Sequence, residues 1–178
     1  MITFRLITVE EYQTFFNLIE KNRSRLLRYF PMTLQSIQSV SDARQHLEES
    51  IADYERREYF PFGIYDDEQL IGMIVIKNID WRVPKAELGY YIDQDSEGKG
   101  VMTEVIRQII PHAFLELKLN KLFLRTDPEN IGSQKIALKN GFVKEGVLRK
   151  EFRVETGELI DLCYYGLVNE EGVVNNLC

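Results

Sequence analysis

Ile92-Asp93-Gln94-Asp95-Ser96-Glu97-Gly98-Lys99-Gly100-Val101-Met102-Thr103-Glu104 is the stretch on which the reading of this chain turns. An apolar run, Ala86 to Ile92, leads into it, and Val101, Val105, Ile106, Ile109, Ile110, Ala113, Phe114 and Leu117 follow at helical spacing. It is therefore a strand end, a loop and a helix start. Glycines at 98 and 100 let the backbone approach a ligand, and the free N–H groups of the first helical turn, backed by the helix dipole, form an anion cradle suited to a pyrophosphate. A plain strand-to-helix turn uses glycine as well, and on spacing alone the two readings stand level. Two nucleotide motifs are excluded. A Walker A loop needs glycine where Asp93 stands, and a Rossmann fingerprint needs a third small residue where Thr103 stands.

Outward from this loop the hydrophobic period changes along the chain. Ile2 to Ile7 is a short β-type run. Thr8 with Glu10 and Glu11 then starts a helix whose stripe is Phe15, Leu18 and Ile19. Ser41 is the expected N-cap of a second helix reaching Tyr54, with Leu47, Ile51 and Tyr54 on one face and Glu48, Glu49, Asp53 and Glu55 on the other. Strands follow at Tyr59 to Tyr65, at Gln69 to Asp80 after a turn at Asp66-Asp67-Glu68, and at Ala86 to Ile92. Leu70 to Ile76 reads as a buried central strand. Beyond the long helix, in which Pro111 predicts a kink, come a strand at Lys121 to Arg125 and a helix at Ser133 to Asn140 stopped by Gly141. Strands around Phe142 to Lys150 and at Leu159 to Val168 complete a mixed α/β order.

The 178 residues predict a single domain, at about 150 residues per domain. With 22 Lys and Arg against 28 Asp and Glu, the net charge is −6, and no basic block is present. That argues against a nucleic-acid partner, whose phosphates demand many cationic contacts, and for a cationic one. The N-terminus lacks a basic segment followed by an apolar one, and no stretch approaches the roughly 18 apolar residues of a membrane span, so no membrane association and a cytoplasmic location are expected. Cys163 and Cys178 are the only cysteines; without metal-like spacing, neither a disulfide framework nor a metal site is expected. Cys163, inside an apolar strand, is expected to be a small core residue.

Taken together, the strand Glu87-Leu88-Gly89-Tyr90-Tyr91-Ile92-Asp93, the loop Gly98-Lys99-Gly100 with Thr103-Glu104, the run Asn130-Ile131-Gly132-Ser133, and Lys139-Asn140-Gly141-Phe142 with Glu145-Gly146 resemble the GNAT superfamily of N-acetyltransferases. Within it, the match is to the RimJ/RimL-like branch that acetylates ribosomal-protein N-termini. The resemblance covers nearly the whole chain. It implies one domain over residues 1–178, with a mixed, mostly antiparallel central sheet of about seven strands flanked by about four helices. It implies acetyl-CoA as co-substrate and no metal, with the pyrophosphate on the amides of Gly98, Lys99, Gly100, Val101, Met102 and Thr103. The pantetheine arm would add like a strand to the edge at Tyr90 and Ile92, where two strands splay. One position departs from the pattern: Asp95 stands where Gln or Arg is frequent three residues before the first glycine. The resemblance also implies a homo-oligomer.

Acetyl transfer from a thioester to an amine needs a neutral amine, a polarised carbonyl and a proton for the departing thiolate. Asn130 and Ser133, three apart at a helix start, suit this: Asn130 can cap the helix and bond the pantetheine, and the Ser133 hydroxyl can reach the sulfur. By sequence alone a plain N-cap is the commoner role for either; the resemblance makes Ser133 the proton donor. Glu151, aligned across a one-residue gap with a glutamate proposed as base in this branch, and Glu87, on the strand beside the cofactor, are the candidate bases. Solvated or paired charges are the commoner role of such glutamates. A protein α-amine, with a reference pKa near 8, needs a weaker base than a lysine near 10.4. His46 and His112 are expected to serve packing or surface roles. Glu48, Glu49, Asp53 and Glu55 can steer a cationic acceptor, and Tyr29, Phe30, Tyr59 and Phe60 can line its pocket, although a solvated face and core packing are the ordinary roles of such residues. The expected activity is acetylation of a protein N-terminal amine. Acetylation of a polyamine or aminoglycoside, and a non-catalytic acyl-CoA-binding module, are the alternatives.

Overall fold

The computed structural model describes residues 1–170. In chain order it contains β1 (Ile2–Leu6), α1 (Tyr12–Leu26), α2 (Pro31–Ser36), α3 (Val40–Glu55), β2 (Phe60–Asp66), β3 (Gln69–Asp80) and β4 (Lys85–Ile92). These are followed by α4 (Val101–Pro111), β5 (Lys121–Thr126), α5 (Ile131–Lys139), β6 (Val143–Arg153) and β7 (Leu159–Val168). The seven strands form one sheet in the order β1-β2-β3-β4-β5-β7-β6. Every neighbouring pair is antiparallel except β4 and β5, which are parallel.

Alternation along the strands sorts the sheet into two faces. On one, Phe60, Phe62, Ile64, Ile74, Ile76 and Leu88 pack against Val105, Ile106 and Ile109 of α4. The three α4 side chains are 0% exposed. Burying each contributes about 2 kcal/mol, which fixes the helix that carries the glycine loop. On the other face Tyr65, Leu70 and Met73 meet Phe15, Leu18, Ile19 and Leu26 of α1 and Leu47 of α3. Covered on both faces, β3 is the buried central strand that its apolar run predicts.

Several boundaries differ from the sequence reading. The N-cap of α3 is Ser39 rather than Ser41: its backbone is extended and its Oγ accepts from the Asp42 N–H at 3.1 Å, so the helix begins two residues early. An additional short helix, α2, starts with Pro31 at its first position and brings the α-helices among the described residues to five, where about four were expected. The α5 helix starts at Ile131, capped by Asn130, and β6 runs on to Arg153. The kink expected at Pro111 takes the form of a change of helical register. Proline has no N–H to continue the ladder, so α4 closes there. His112–Glu116 continue as a π-turn, with the Leu117 N–H donating to the His112 carbonyl at 3.1 Å.

Gly141 closes α5 as expected, at φ 81, with the Phe142 N–H reaching back to the Ala137 carbonyl at 3.1 Å. Cys163 is buried in β7, and Cys178 lies outside the described residues. No helix among the described residues is long and apolar enough to cross a membrane.

Candidate active site

The parallel pairing of β4 with β5 covers only Lys85, Ala86 and Glu87 against Lys121, Leu122 and Phe123, after which the two strands part. The Asp93 N–H donates to the Ile71 carbonyl at 2.7 Å. Alternate residues of β4 thus bond to β3, and Tyr90 and Ile92 turn their backbone groups the other way, into the fork. The Ile92 carbonyl is already held by the Arg25 guanidinium. A cavity of about 660 Å³ fills the fork, lined among others by Tyr90, Ile92, Gly98, Thr103, Asn130 and Ser133.

At the head of this cavity the chain turns through Gly98 at φ 72 and Gly100 at φ 80 into α4. Both values belong to the left-handed region that glycine alone adopts without strain. A Cβ at either position would meet nothing within 4 Å, so it is backbone conformation, and the space left in front of the loop, that calls for glycine. Gly100 caps α4 with no side chain, and the first helical bond runs from the Glu104 N–H to the Gly100 carbonyl at 3.1 Å. The amides of Val101, Met102 and Thr103 therefore have no intrahelical acceptor. Open glycine space, unpaired amides and a cavity running along a strand edge that β5 leaves unpaired beyond Glu87 fit a long ligand with a pyrophosphate at one end. Lys99, between the two glycines, is exposed.

Lys21 and Arg25 of α1, with Arg28 in the turn just after it, hold the two loops that flank the cavity. Lys21 Nζ lies 2.6 Å from both Asp93 and Asp95, and Arg25 pairs with Glu97. Arg28 lies 2.8 Å from Asp127 and 3.2 Å from Glu129. Asp95, the departure from the loop pattern, thus ties the loop to α1. Burial alone would raise the carboxyl pKa of Asp93, but bonds from Lys21, the Asp95 N–H and Asn22 outweigh it and hold it below the ordinary range. The sequence reading missed this clamp; its signal is the i,i+4 spacing of Lys21 and Arg25 on one helix face, with Arg28 just past the helix end.

Asn130 and Ser133 both reach the cavity. Asn130 caps α5, its Oδ1 accepting from the Ser133 N–H at 3.0 Å, and Ser133 Oγ lies 2.6 Å from the Tyr90 hydroxyl. Burial pushes the Tyr90 phenol up to about 12, with the Ser133 contact acting weakly against it.

The two candidate bases are brought together by one guanidinium. Arg125 donates from Nε and Nη2 to the two oxygens of Glu87, at 3.1 and 2.8 Å, and from Nη1 to Glu151 at 3.0 Å. Asn78 Nδ2 adds a bond to Glu87 at 2.6 Å. Glu87 lines the cavity and is buried with its oxygens committed, whereas the Glu151 side chain is 39% exposed.

A second cavity of about 290 Å³ lies between the sheet and helices α1 to α3, and shares Phe30, Lys77, Gly89, Tyr90 and Tyr91 with the first. Glu49, Asp53 and Tyr59 line it. Glu48 instead pairs with Arg44 at 3.0 Å, and Glu55 is exposed. Of the other aromatic candidates, Tyr29 and Phe30 line the first cavity, while Phe60 lines neither: it is buried in the core against Tyr54. His46, read as a packing residue, does stack on Phe15, at 5.7 Å, but it also lines the second cavity, and burial lowers its pKa. His112 packs against Phe4 and Phe62, away from both cavities.

Residues 2–143 match the family model described as an acetyltransferase (GNAT) domain. A Bacillus subtilis protein named "Putative ribosomal N-acetyltransferase YdaF" is 34% identical over 175 residues, covering 96% of this chain and 92% of that protein. The ribosomal-protein-serine acetyltransferase of Escherichia coli is 28% identical over 135 residues, 76% of this chain and 75% of that one. In fold, the chain matches the solved structure of a ribosomal L7/L12 α-N-protein acetyltransferase in complex with coenzyme A, at a TM-score of 0.89 and 19% identity, over 94% of this chain and 93% of that one.

Proposed function

The chain belongs to the acetyltransferase (GNAT) domain family, and from that premise we propose that the amine it acetylates is the N-terminal α-amine of a protein, a ribosomal protein foremost. It is an acetyl-CoA-dependent N-acetyltransferase. The observation that carries the choice of acceptor is the junction of the two cavities at Lys77, Gly89, Tyr90 and Tyr91. An acceptor entering between the sheet and helices α1 to α3 meets the cofactor cleft at the strand fork. On the way it passes the carboxylates of Glu49 and Asp53; Arg56 already pairs with Asp53, so Glu49 is the one left to favour a cation. The names of the Bacillus subtilis and Escherichia coli relatives point the same way.

Bound acetyl-CoA supplies the thioester carbonyl that the amine attacks. The amides from Gly98 to Thr103 hold its pyrophosphate, with the α4 dipole behind them. The edge of β4 at Tyr90 and Ile92 aligns the pantetheine arm in the fork, as an added strand is aligned. Asn130 bonds the same arm while capping α5. The Ser133 hydroxyl donates to the sulfur as the carbon–sulfur bond breaks. Glu151, more exposed than Glu87 and with one oxygen uncommitted, takes the amine proton through water, and Arg125 holds both carboxylates in place. An α-amine, partly neutral near pH 8, asks little of such a base.

The same carboxylates of the second cavity support a polyamine or aminoglycoside as a second reading. A thiol-release assay with acetyl-CoA, run over peptides with free N-termini, spermidine and an aminoglycoside, separates the two. Turnover with peptides and none with the small amines is expected, and the reverse pattern overturns the proposal.

A further inference from the structure

Ser133 has a single hydroxyl proton, and a hydroxyl accepts as readily as it donates. If that proton points at a neighbouring oxygen, it is lost to the sulfur. The atom that decides its direction is the Tyr90 hydroxyl, 2.6 Å from Ser133 Oγ. Tyr90 comes from β4 and Ser133 from the first turn of α5, the elements on opposite sides of the fork, and both line the same cavity. Ser133 is fixed from below as well, because its N–H is bonded to Asn130 Oδ1 at 3.0 Å.

We infer that Tyr90 is a positioning residue for the transfer: its phenol donates to Ser133 Oγ and so leaves the serine proton free to point at the sulfur of the bound thioester. Burial pushes the phenol up to about 12, so at neutral pH the tyrosine keeps its proton and can donate it in a hydrogen bond. With one acceptor site of Ser133 filled by Tyr90, the serine proton is free for a further partner, and a hydroxyl that is itself receiving a hydrogen bond is the stronger donor. No proton needs to leave Tyr90. When the amine nitrogen bonds to the acyl carbon, the electron pair of the carbon–sulfur bond goes to sulfur. Ser133 stabilises the charge that develops there by hydrogen bonding, and the thiolate then takes a proton from water to leave as the free thiol, while the proton lost by the amine passes to the base and from it to water, so that one proton is taken up and one released.

The inference rests on the proposed role of Ser133 as donor to the sulfur, and its test keeps the two apart without needing an acceptor. A donor aimed at the sulfur stabilises the thiolate of bound CoA and lowers its thiol pKa. Calorimetric titrations with CoA and with desulfo-CoA across pH 6.5 to 9.5 read this directly for the wild type, Tyr90→Phe and Ser133→Ala. The wild type is expected to gain affinity for CoA as pH rises, on the order of ten-fold more than for desulfo-CoA, equivalent to about one unit in the thiol pKa. Tyr90→Phe is expected to lose most of that gain, Ser133→Ala all of it, and the double variant no more than Ser133→Ala alone. Unchanged desulfo-CoA affinity in each variant shows that the cleft is intact. A Tyr90→Phe profile identical to the wild type, beside a flattened Ser133→Ala profile, overturns the inference and leaves the role of Ser133 standing. A Ser133→Ala profile identical to the wild type overturns both.

Discussion

Glu87 and Arg125 face each other across the start of the strand fork as a bidentate pair, with N···O distances of 3.1 and 2.8 Å. The pair joins β4 to β5 where backbone pairing ends, so side chains take over the work of holding the two strands at the apex of the fork. Glu151 and Asn78 extend it to β6 and β3.

The Glu87 side chain is 7% exposed, and its removal strands a guanidinium that is only 27% exposed. Glu87→Ala is expected to cost about 3 kcal/mol, the scale for breaking a buried ion pair from one side, and Glu87→Gln less, because it keeps part of the hydrogen bonding. Urea unfolding at pH 7 measures both. A loss below about 1 kcal/mol for the alanine variant is incompatible with a structural role at the fork.

Gly98→Ala and Gly100→Ala each force a left-handed backbone on alanine, at about 1 kcal/mol of stability. Their methyl groups point into open space, so no clash adds to that figure. The same methyl groups stand where the pyrophosphate is proposed to lie, and acetyl-CoA affinity is expected to fall on the order of ten-fold. Gly141→Ala is the control, since it is also at positive φ but lies outside the cavity. It should lose stability and keep its affinity. Equal affinity in all three variants would remove the loop from the cofactor site.

Much of this was legible in the sequence, and the parts that were not share a physical reason. The apolar repeat of α4, the buried run of β3 and the glycine loop are local patterns, and all three stand where the sequence puts them. The insertion of β7 between β5 and β6 is a long-range pairing that no local period encodes. The clamp from α1 and the turn after it is long-range in the same sense: Lys21 meets Asp93 across 72 positions, and Arg28 meets Asp127 across 99. Ser39 and Ser41 are equally good cap residues by type, and only the backbone chooses between them. Helix α2 has six residues, too few for an amphipathic repeat to show. The site residues themselves, Asn130 and Ser133, come from a motif, whereas the partnership of Ser133 with Tyr90 needs the fold that brings β4 beside α5.

The clamp has a measurable consequence. Asp127 is 3% exposed at its side chain, and Arg28 is the cation beside it. Arg28→Met is expected to cost 2 kcal/mol or more, on the scale of leaving a buried charge unpaired, and to weaken acetyl-CoA binding by loosening the loop that carries Asn130. Arg44→Met, which breaks an exposed pair with Glu48, should change stability by less than about 0.5 kcal/mol. Similar losses in the two variants would show that the Arg28 clamp is no stronger than a surface pair.

His46 gives the stability a pH dependence of known sign. Burial lowers its pKa below the ordinary value of 6.5, with Glu49 acting weakly the other way. The unfolded chain therefore takes up a proton at a pH where the folded protein resists it. This contribution favours the fold above about pH 6.5 and is lost as pH falls below it. Between pH 7.5 and 5.5 the wild type should lose more stability than His46→Gln in urea unfolding, and equal losses would show that His46 is not held neutral by the fold.

The claim that the acceptor is an α-amine is tested most directly by one substrate that offers both kinds of amine. A synthetic peptide with a free N-terminus and an internal lysine is incubated with the enzyme and acetyl-CoA, and the acetylated position is located by tandem mass spectrometry. The account predicts acetyl on the N-terminal nitrogen with the lysine unmodified; acetyl on the lysine with the N-terminus free contradicts it.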